Sequence, residues 1–361
     1  MTRGLLAAVL LCVSAAASAC PICLGAGQPG KARELAAAQQ AVLAVPSADA
    51  NLFRVIEAIK GERPSSRTIE GGYPRSASPA DTRAAKGKPL LMVRSDPIPV
   101  WVVLGAVDAG QAGWLRKFAA AKRAEDMSAE DWRARVALVL PYLENAEPLV
   151  AELAYGELAA APYAAMRTAK PQLDARRIRA WLSDTNLAAR HRLYLLLLGF
   201  AGDDSDAAAL DRRVEAAWKA GDATNLASML AAELELRGAA RVPWIEDRYL
   251  RERARSAPET SAALLALSVH GNAGGVIPRE RVIQSYRVFM KARPEIAGYV
   301  AQDLAAWQYW EAVPGYVALM KSDVRQQLPS RLAVLAYLRQ CPSAEAREFA
   351  LQANALPAMR Q

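Results

Sequence analysis

The chain has 361 residues, of which 53% are hydrophobic and 23% charged. That balance excludes an intrinsically disordered protein, and the length exceeds the usual single-domain size, so two units are expected. A net charge of +8 comes from basic residues spread along the chain without interleaved aromatic residues, which excludes a nucleic-acid surface and leaves a solvated basic surface or a weak attraction to anionic polymers.

Residues 1–19 carry Arg3, an apolar run from Leu5 to Val13 and the small residues Ala15 to Ala19, the build of a secretory signal peptide. Cleavage before Cys20 sends the mature chain to the bacterial periplasm or cell envelope. A Cys at that position also fits the lipidated first residue of a lipoprotein, which would anchor the protein at the membrane surface. No later run is long and apolar enough to span a bilayer. The mature chain keeps Cys20, Cys23 and Cys341. An odd number in an oxidising compartment gives two arrangements: a local Cys20–Cys23 disulfide, or a lipidated Cys20 with Cys23 and Cys341 paired. CPIC lacks the preceding strand of a redox pair and the second ligand pair of a zinc site.

Next come a helix in KARELAAAQQ and strands over Ala41–Val45, the NLFRVIEAIKGE segment with a bulge, and Ser66–Glu70. Gly71–Lys88 reads as a long loop. Pro89–Ser95 and Val100–Val107 complete five short strands, the size of a small OB-type β-barrel over residues 20–110. The C-P-x-C start, the strand carrying V-I-E-A-I-K-G-E and the later G-K-P-L-L-M-V resemble the netrin-like modules of OB type that open several secreted proteins, including tissue inhibitors of metalloproteases. The resemblance implies an OB barrel. In those inhibitors the N-terminal Cys chelates the protease zinc, so it also implies an alternative role as a metalloprotease inhibitor acting through Cys20.

Residues 111–130 form a connecting helix and linker with Trp114 and Phe118, and helix patterns alone fill residues 131–361. Expected segments include Pro148–Ala160, Ala188–Phe200, Leu226–Arg237, Pro243–Arg255, Thr260–His270, Pro278–Lys291, Glu295–Trp307, Trp310–Lys321 and Pro329–Gln340, with Gly221 and Gly238 as stops. A pitch near twenty residues per helix resembles HEAT-type repeats. The fold class expected is therefore mainly α: a HEAT-like α-solenoid of helical hairpins with a small N-terminal OB-type β-barrel.

No catalytic, metal or cofactor residue is assigned. His191 reads as a packing residue at the start of a buried helix, His270 as preceding a flexible loop over Gly271–Gly275, and Arg248–Arg255 as a solvated helix face. The densest aromatic cluster, Trp307, Tyr309 and Trp310, with Asp303 and Glu311 at four-residue spacing, is the candidate partner-binding surface. The expected function is a non-catalytic interaction or scaffold module at the envelope, binding another envelope protein or a cell-wall polymer. The alternative is an all-helical glycan-cleaving enzyme using Asp303 and Glu311 as its acid and base.

Overall fold

The computed structural model describes residue 22 and residues 30–49, 51–71, 87–95, 98–273 and 275–355. The signal-like leader, Cys20, Cys23 and most of the Gly71–Lys88 loop lie outside the described residues. Helix predominates, accompanied by a small antiparallel sheet. The chain divides into two compact units, one within Gly27–Ala165 and one within Met166–Gln361, to which Ile22 also belongs.

In the first unit, helix α1 (Lys31–Ala37) precedes strands β1 (Gln40–Pro46), β2 (Leu52–Lys60), β3 (Thr68–Glu70), β4 (Leu90–Ser95) and β5 (Ile98–Ala106). The sheet order is β3-β2-β1-β4-β5 with antiparallel neighbours. Its two edges meet at a parallel bridge between Gly71 and Trp101, so the sheet curls into a half-barrel. Val42, Val55, Ile69, Leu90, Met92 and Trp101 fill the concave side. Gly71 is required there, because a Cβ would stand 2.3 Å from the Phe53 ring. β1 and β4 are central and buried on both faces, which is why AVLAV and LLMV are continuous rather than alternating. The expected irregularity appears as register shifts in the β1–β2 pairing at Ala41/Val42 and Leu43/Ala44.

Helices α2 (Ala112–Ala119), α3 (Ala129–Val139) and α4 (Pro148–Ala160) complete this unit. Ser128 and Asp131 form a reciprocal capping box at the start of α3. α2 packs on β2, and α4 packs on α1 and β5. Arg135 of α3, buried, donates to Glu157 at 2.7 Å and to the Phe118 carbonyl at 2.6 Å, tying three helices together. Because α2 and α4 pack on the strands and Arg135 of α3 ties them together, the compact division falls between Ala165 and Met166, not at the expected linker over residues 111–130.

The second unit contains α5 (Ala175–Ser183), α6 (His191–Ala201), α7 (Asp204–Ala220), α8 (Leu226–Arg237), α9 (Ala257–Ala273), α10 (Arg279–Ala292), α11 (Ala301–Ala306), α12 (Val313–Lys321), α13 (Leu328–Gln340) and α14 (Ala344–Ala355). α6, α8 and α9 form a buried row, with α5 packed on α6, α7 on α8 and α10 on α9. Leu193 to Phe200 are all buried, as expected for the apolar LYLLLLGF run. Gly199 lets α6 approach α8 closely, since a Cβ would lie 2.7 Å from the Ala232 Cα. Gly221 and Gly238 close α7 and α8 at φ +64° and +65°. No helix among the described residues is long and apolar enough to cross a membrane.

Three expectations are corrected. The helix expected over Pro243–Arg255 ends in a π turn, Glu246–Leu250. Two of its arginines leave the expected solvated face: Arg248 lies 4.0 Å over Trp218, and Arg255 bonds the Trp218 carbonyl and Glu259, whereas Arg251 and Arg253 are exposed and Arg251 pairs with Asp247 at 3.0 Å, as expected. α9 runs through the Gly271–Ala273 stretch expected as a loop, because Gly271 packs beneath the Trp307 indole. The helix expected over Glu295–Trp307 is a 3-10 segment, Pro294–Val300, kinked at Ile296, followed by the short α11.

Candidate functional site

α10 buries Val282, Tyr286 and Phe289, leaving Ile283, Arg287, Met290 and Lys291 on a second, half-apolar face at helical spacing. That face, with Leu304 of α11 and Ala312, Gly315 and Leu319 across the way, encloses a cleft of about 420 Å³. Apolar groups dominate its lining, and charged groups stand at its rim. Gly315 contributes space, since a Cβ added there would meet nothing within 4 Å.

The far wall is set by tyrosines. Tyr316 donates to the Ala297 carbonyl at 3.1 Å, and Tyr337 donates to the Tyr309 carbonyl. Gly298 passes so close to α13 that a Cβ would lie 2.0 Å from the Ser330 carbonyl oxygen, and its amide donates to the Ser330 hydroxyl at 2.9 Å. Gln308, a non-glycine residue at φ +55°, ends α11, and the Tyr309 amide returns to the Leu304 carbonyl at 2.8 Å. This reversal sends Trp307 and Tyr309 to different sides.

The five aromatic and acidic residues singled out by sequence therefore separate. Tyr309 and Glu311 line the cleft. Arg287 pairs with Glu311 at 2.8 Å and also donates to the Tyr309 hydroxyl, which donates to Glu311 at 2.9 Å. Burial, helped by the Glu311 carboxylate, raises the Tyr309 phenol. Trp307 instead stacks on Tyr286 with ring centroids 5.5 Å apart, and its indole donates to Asn272 at 2.6 Å. Trp310 packs on Tyr337 at 5.1 Å. Asp303 sits behind the cleft floor, accepting from the Tyr286 hydroxyl at 2.5 Å, with its carboxyl pushed up by burial.

Asp303 is thus committed to Tyr286, and Glu311 to Arg287 and Tyr309. Lys291 is the rim charge with no hydrogen bond or ion pair among the described residues. The arrangement suits recognition: an apolar floor for a bulky group, a closed polar triad on one side and one free ammonium on the other. Sequence reasoning missed Ile283, Arg287, Met290, Lys291 and Gly315. The signal was present in α10, whose apolar residues occupy more of the helix circumference than one buried stripe needs.

Elsewhere, His270 is fully buried inside α9, with Nε2 3.1 Å from the Ala231 carbonyl, and burial lowers its pKa. His191 is half-buried, its Nε2 3.4 Å from the Asp184 carbonyl. Cys341 is a buried free thiol. No group of three or more His, Cys, Asp or Glu side chains among the described residues is placed to hold a metal ion. Compared with known proteins, the chain matches no protein family, no curated protein and no solved structure.

Proposed function

We propose that the chain is an exported, non-catalytic interaction module of the cell envelope, whose helical unit receives an apolar, acid-flanked anchor of a partner protein in the α10–α12 cleft. The observation that carries this reading is the pairing state of the cleft. Its floor is apolar, Arg287, Tyr309 and Glu311 satisfy one another, and Lys291 alone is left to meet a carboxylate. An apolar anchor beside an acidic residue complements that pattern.

The two units fit this role as scaffolds. With β3 and β5 joined in parallel, the strand ring runs 1-2-3-5-4 and back to 1, which supports an OB-type barrel. In the helical unit α5, α7 and α10 each pack on a member of the buried row α6, α8 and α9, which supports a HEAT-like solenoid, an architecture suited to presenting grooves. The glycan-cleaving alternative draws less support, because Asp303 lies beneath Tyr286 rather than on the cleft surface.

A photoreactive amino acid at position 312, in the protein expressed in its native host, tests the reading. The expected result is a discrete cross-linked protein band that disappears in Gly315→Phe, which fills the cleft, and weakens in Lys291→Glu. A band unchanged by both variants would overturn the cleft assignment. Turnover of cell-wall glycan by the purified protein, lost in Glu311→Gln, would overturn the non-catalytic reading.

A further inference from the structure

The buried row α6, α8 and α9 brings three helix starts to one place. A pocket of about 230 Å³ is lined by Arg192 from the first turn of α6, Ala227 and Ser228 from the first turn of α8, and Ser261 from α9. Helix N-terminal ends carry partial positive charge and unsatisfied amides, and here they converge. Each end differs in how it is satisfied. α9 is capped by Ser256 and Glu259, which bond reciprocally, and Glu259 also pairs with Arg255. α8 has no such cap: Asn225 occupies the N-cap position at φ +57° without a side-chain capping bond. The amides of Ala227 and Ser228 accordingly find no acceptor among the described residues.

A second observation is independent of the helix ends. Ser228 is 1% exposed, yet its hydroxyl has no hydrogen-bond partner. A helical serine ordinarily returns its hydroxyl to a carbonyl one turn back, and burying one unpaired is unfavourable. No acidic residue lines the pocket. The nearby Asp222 carboxylate is occupied by the Thr224 amide at 2.8 Å. Arg192 is exposed and makes no hydrogen bond or ion pair among the described residues. Ile22, only 3% exposed, contributes to the wall.

We propose that this pocket binds a phosphate group. Two amides, the Ser228 hydroxyl and the Arg192 guanidinium offer donors and positive charge, complementary to an acceptor-only oxyanion. Inorganic phosphate and the phosphodiester of an anionic lipid headgroup present that same chemistry, and the volume exceeds what a bare anion occupies.

The test uses the full mature chain. Calorimetric titration with inorganic phosphate, at constant ionic strength set with chloride, is run on the wild type, Arg192→Gln and Ser228→Ala. In parallel, sedimentation with phosphatidylglycerol vesicles is compared with phosphatidylcholine vesicles. The proposal expects saturable binding in at least one arm, weakened about ten- to hundredfold by Arg192→Gln, as for loss of a charge-assisted hydrogen bond. Ser228→Ala should weaken binding while leaving the ligand-free protein as stable as the wild type or more so, because an unpaired buried hydroxyl is removed. Titration heat with inorganic phosphate assigns the free anion as the source. Sedimentation with phosphatidylglycerol alone assigns the headgroup. Binding in neither arm, or equal binding by Arg192→Gln, overturns the proposal.

Discussion

Removing the Tyr286 hydroxyl is expected to loosen the floor of the cleft by an amount that can be worked from its contacts. Tyr286 is 1% exposed, stacks on Trp307 with planes 10° apart, and donates to Asp303 at 2.5 Å. Tyr286→Phe keeps the ring and the stacking but deprives a buried carboxylate of a close donor. A hydrogen bond to a charged group contributes about 1.5–3 kcal/mol, and Ser268 remains as a second donor to the Asp303 carboxyl. We expect a loss of about 2–3 kcal/mol, a fall of roughly 4–12 °C in the melting temperature of a unit this size. The pH dependence identifies the carboxyl as the cause. Burial raises the folded pKa of Asp303, so the folded state holds its proton after the unfolded state has lost it. That contribution is complete below the unfolded pKa near 3.8 and is lost as pH rises through the folded value. Asp303→Asn, which still accepts from Tyr286, should therefore gain stability relative to the wild type as pH rises across that window. Urea melts of the three proteins at several pH values from 3.5 to 7.5 measure both effects. If Tyr286→Phe unfolds at the wild-type midpoint and the Asp303→Asn difference does not vary with pH, the reasoning fails.

Three further outcomes follow from other contacts. Arg135→Met should destabilise the first unit by about 3–5 kcal/mol because it strands the buried Glu157, whereas Arg135→Met with Glu157→Leu should recover most of that in denaturant melts. Gly298→Ala drives a Cβ into the Ser330 backbone and should cost about 1–3 kcal/mol or more, read as a lowered melting temperature of the second unit; no change would mean that α13 shifts freely. Burial pushes the Glu233 carboxyl up to about 7 against the pull of Arg241, which bonds it at 2.8 Å. Stability is therefore highest below about pH 4.5 for this group and falls by about 3 kcal/mol as pH rises to 7; Glu233→Gln should abolish that slope in pH-resolved melts.

Much of the fold was legible because local signals agreed with tertiary demands. Pro148 at the first turn of α4 and Gly238 after α8 fixed those helices to the residue, and the strands lay within two or three residues of their apolar runs. Where sequence misled, a distant partner had overruled a local preference. Gly271 reads as a helix breaker until Trp307, thirty-six residues away, is seen packed over it. The Arg248–Arg255 stretch reads as a polar helix face, but Trp218 and Glu259 draw Arg248 and Arg255 into ring and ion-pair contacts while Arg251 and Arg253 stay exposed. The cleft was only half legible. Tyr309 and Glu311 drew attention as part of an aromatic cluster, while Ile283, Met290 and Gly315 become a site only once α10 and α12 face each other.

The left-handed turn at Gln308 separates two neighbours in the chain into two different chemical tasks. Position 307 is half-buried, stacked on Tyr286 and bonded to Asn272, while position 309 lines the cleft. Substitutions at the cleft rim can therefore accumulate without disturbing the Trp307–Tyr286 stack that supports the helices. A β-branched residue at 308 would work against that reversal, since it resists a positive φ.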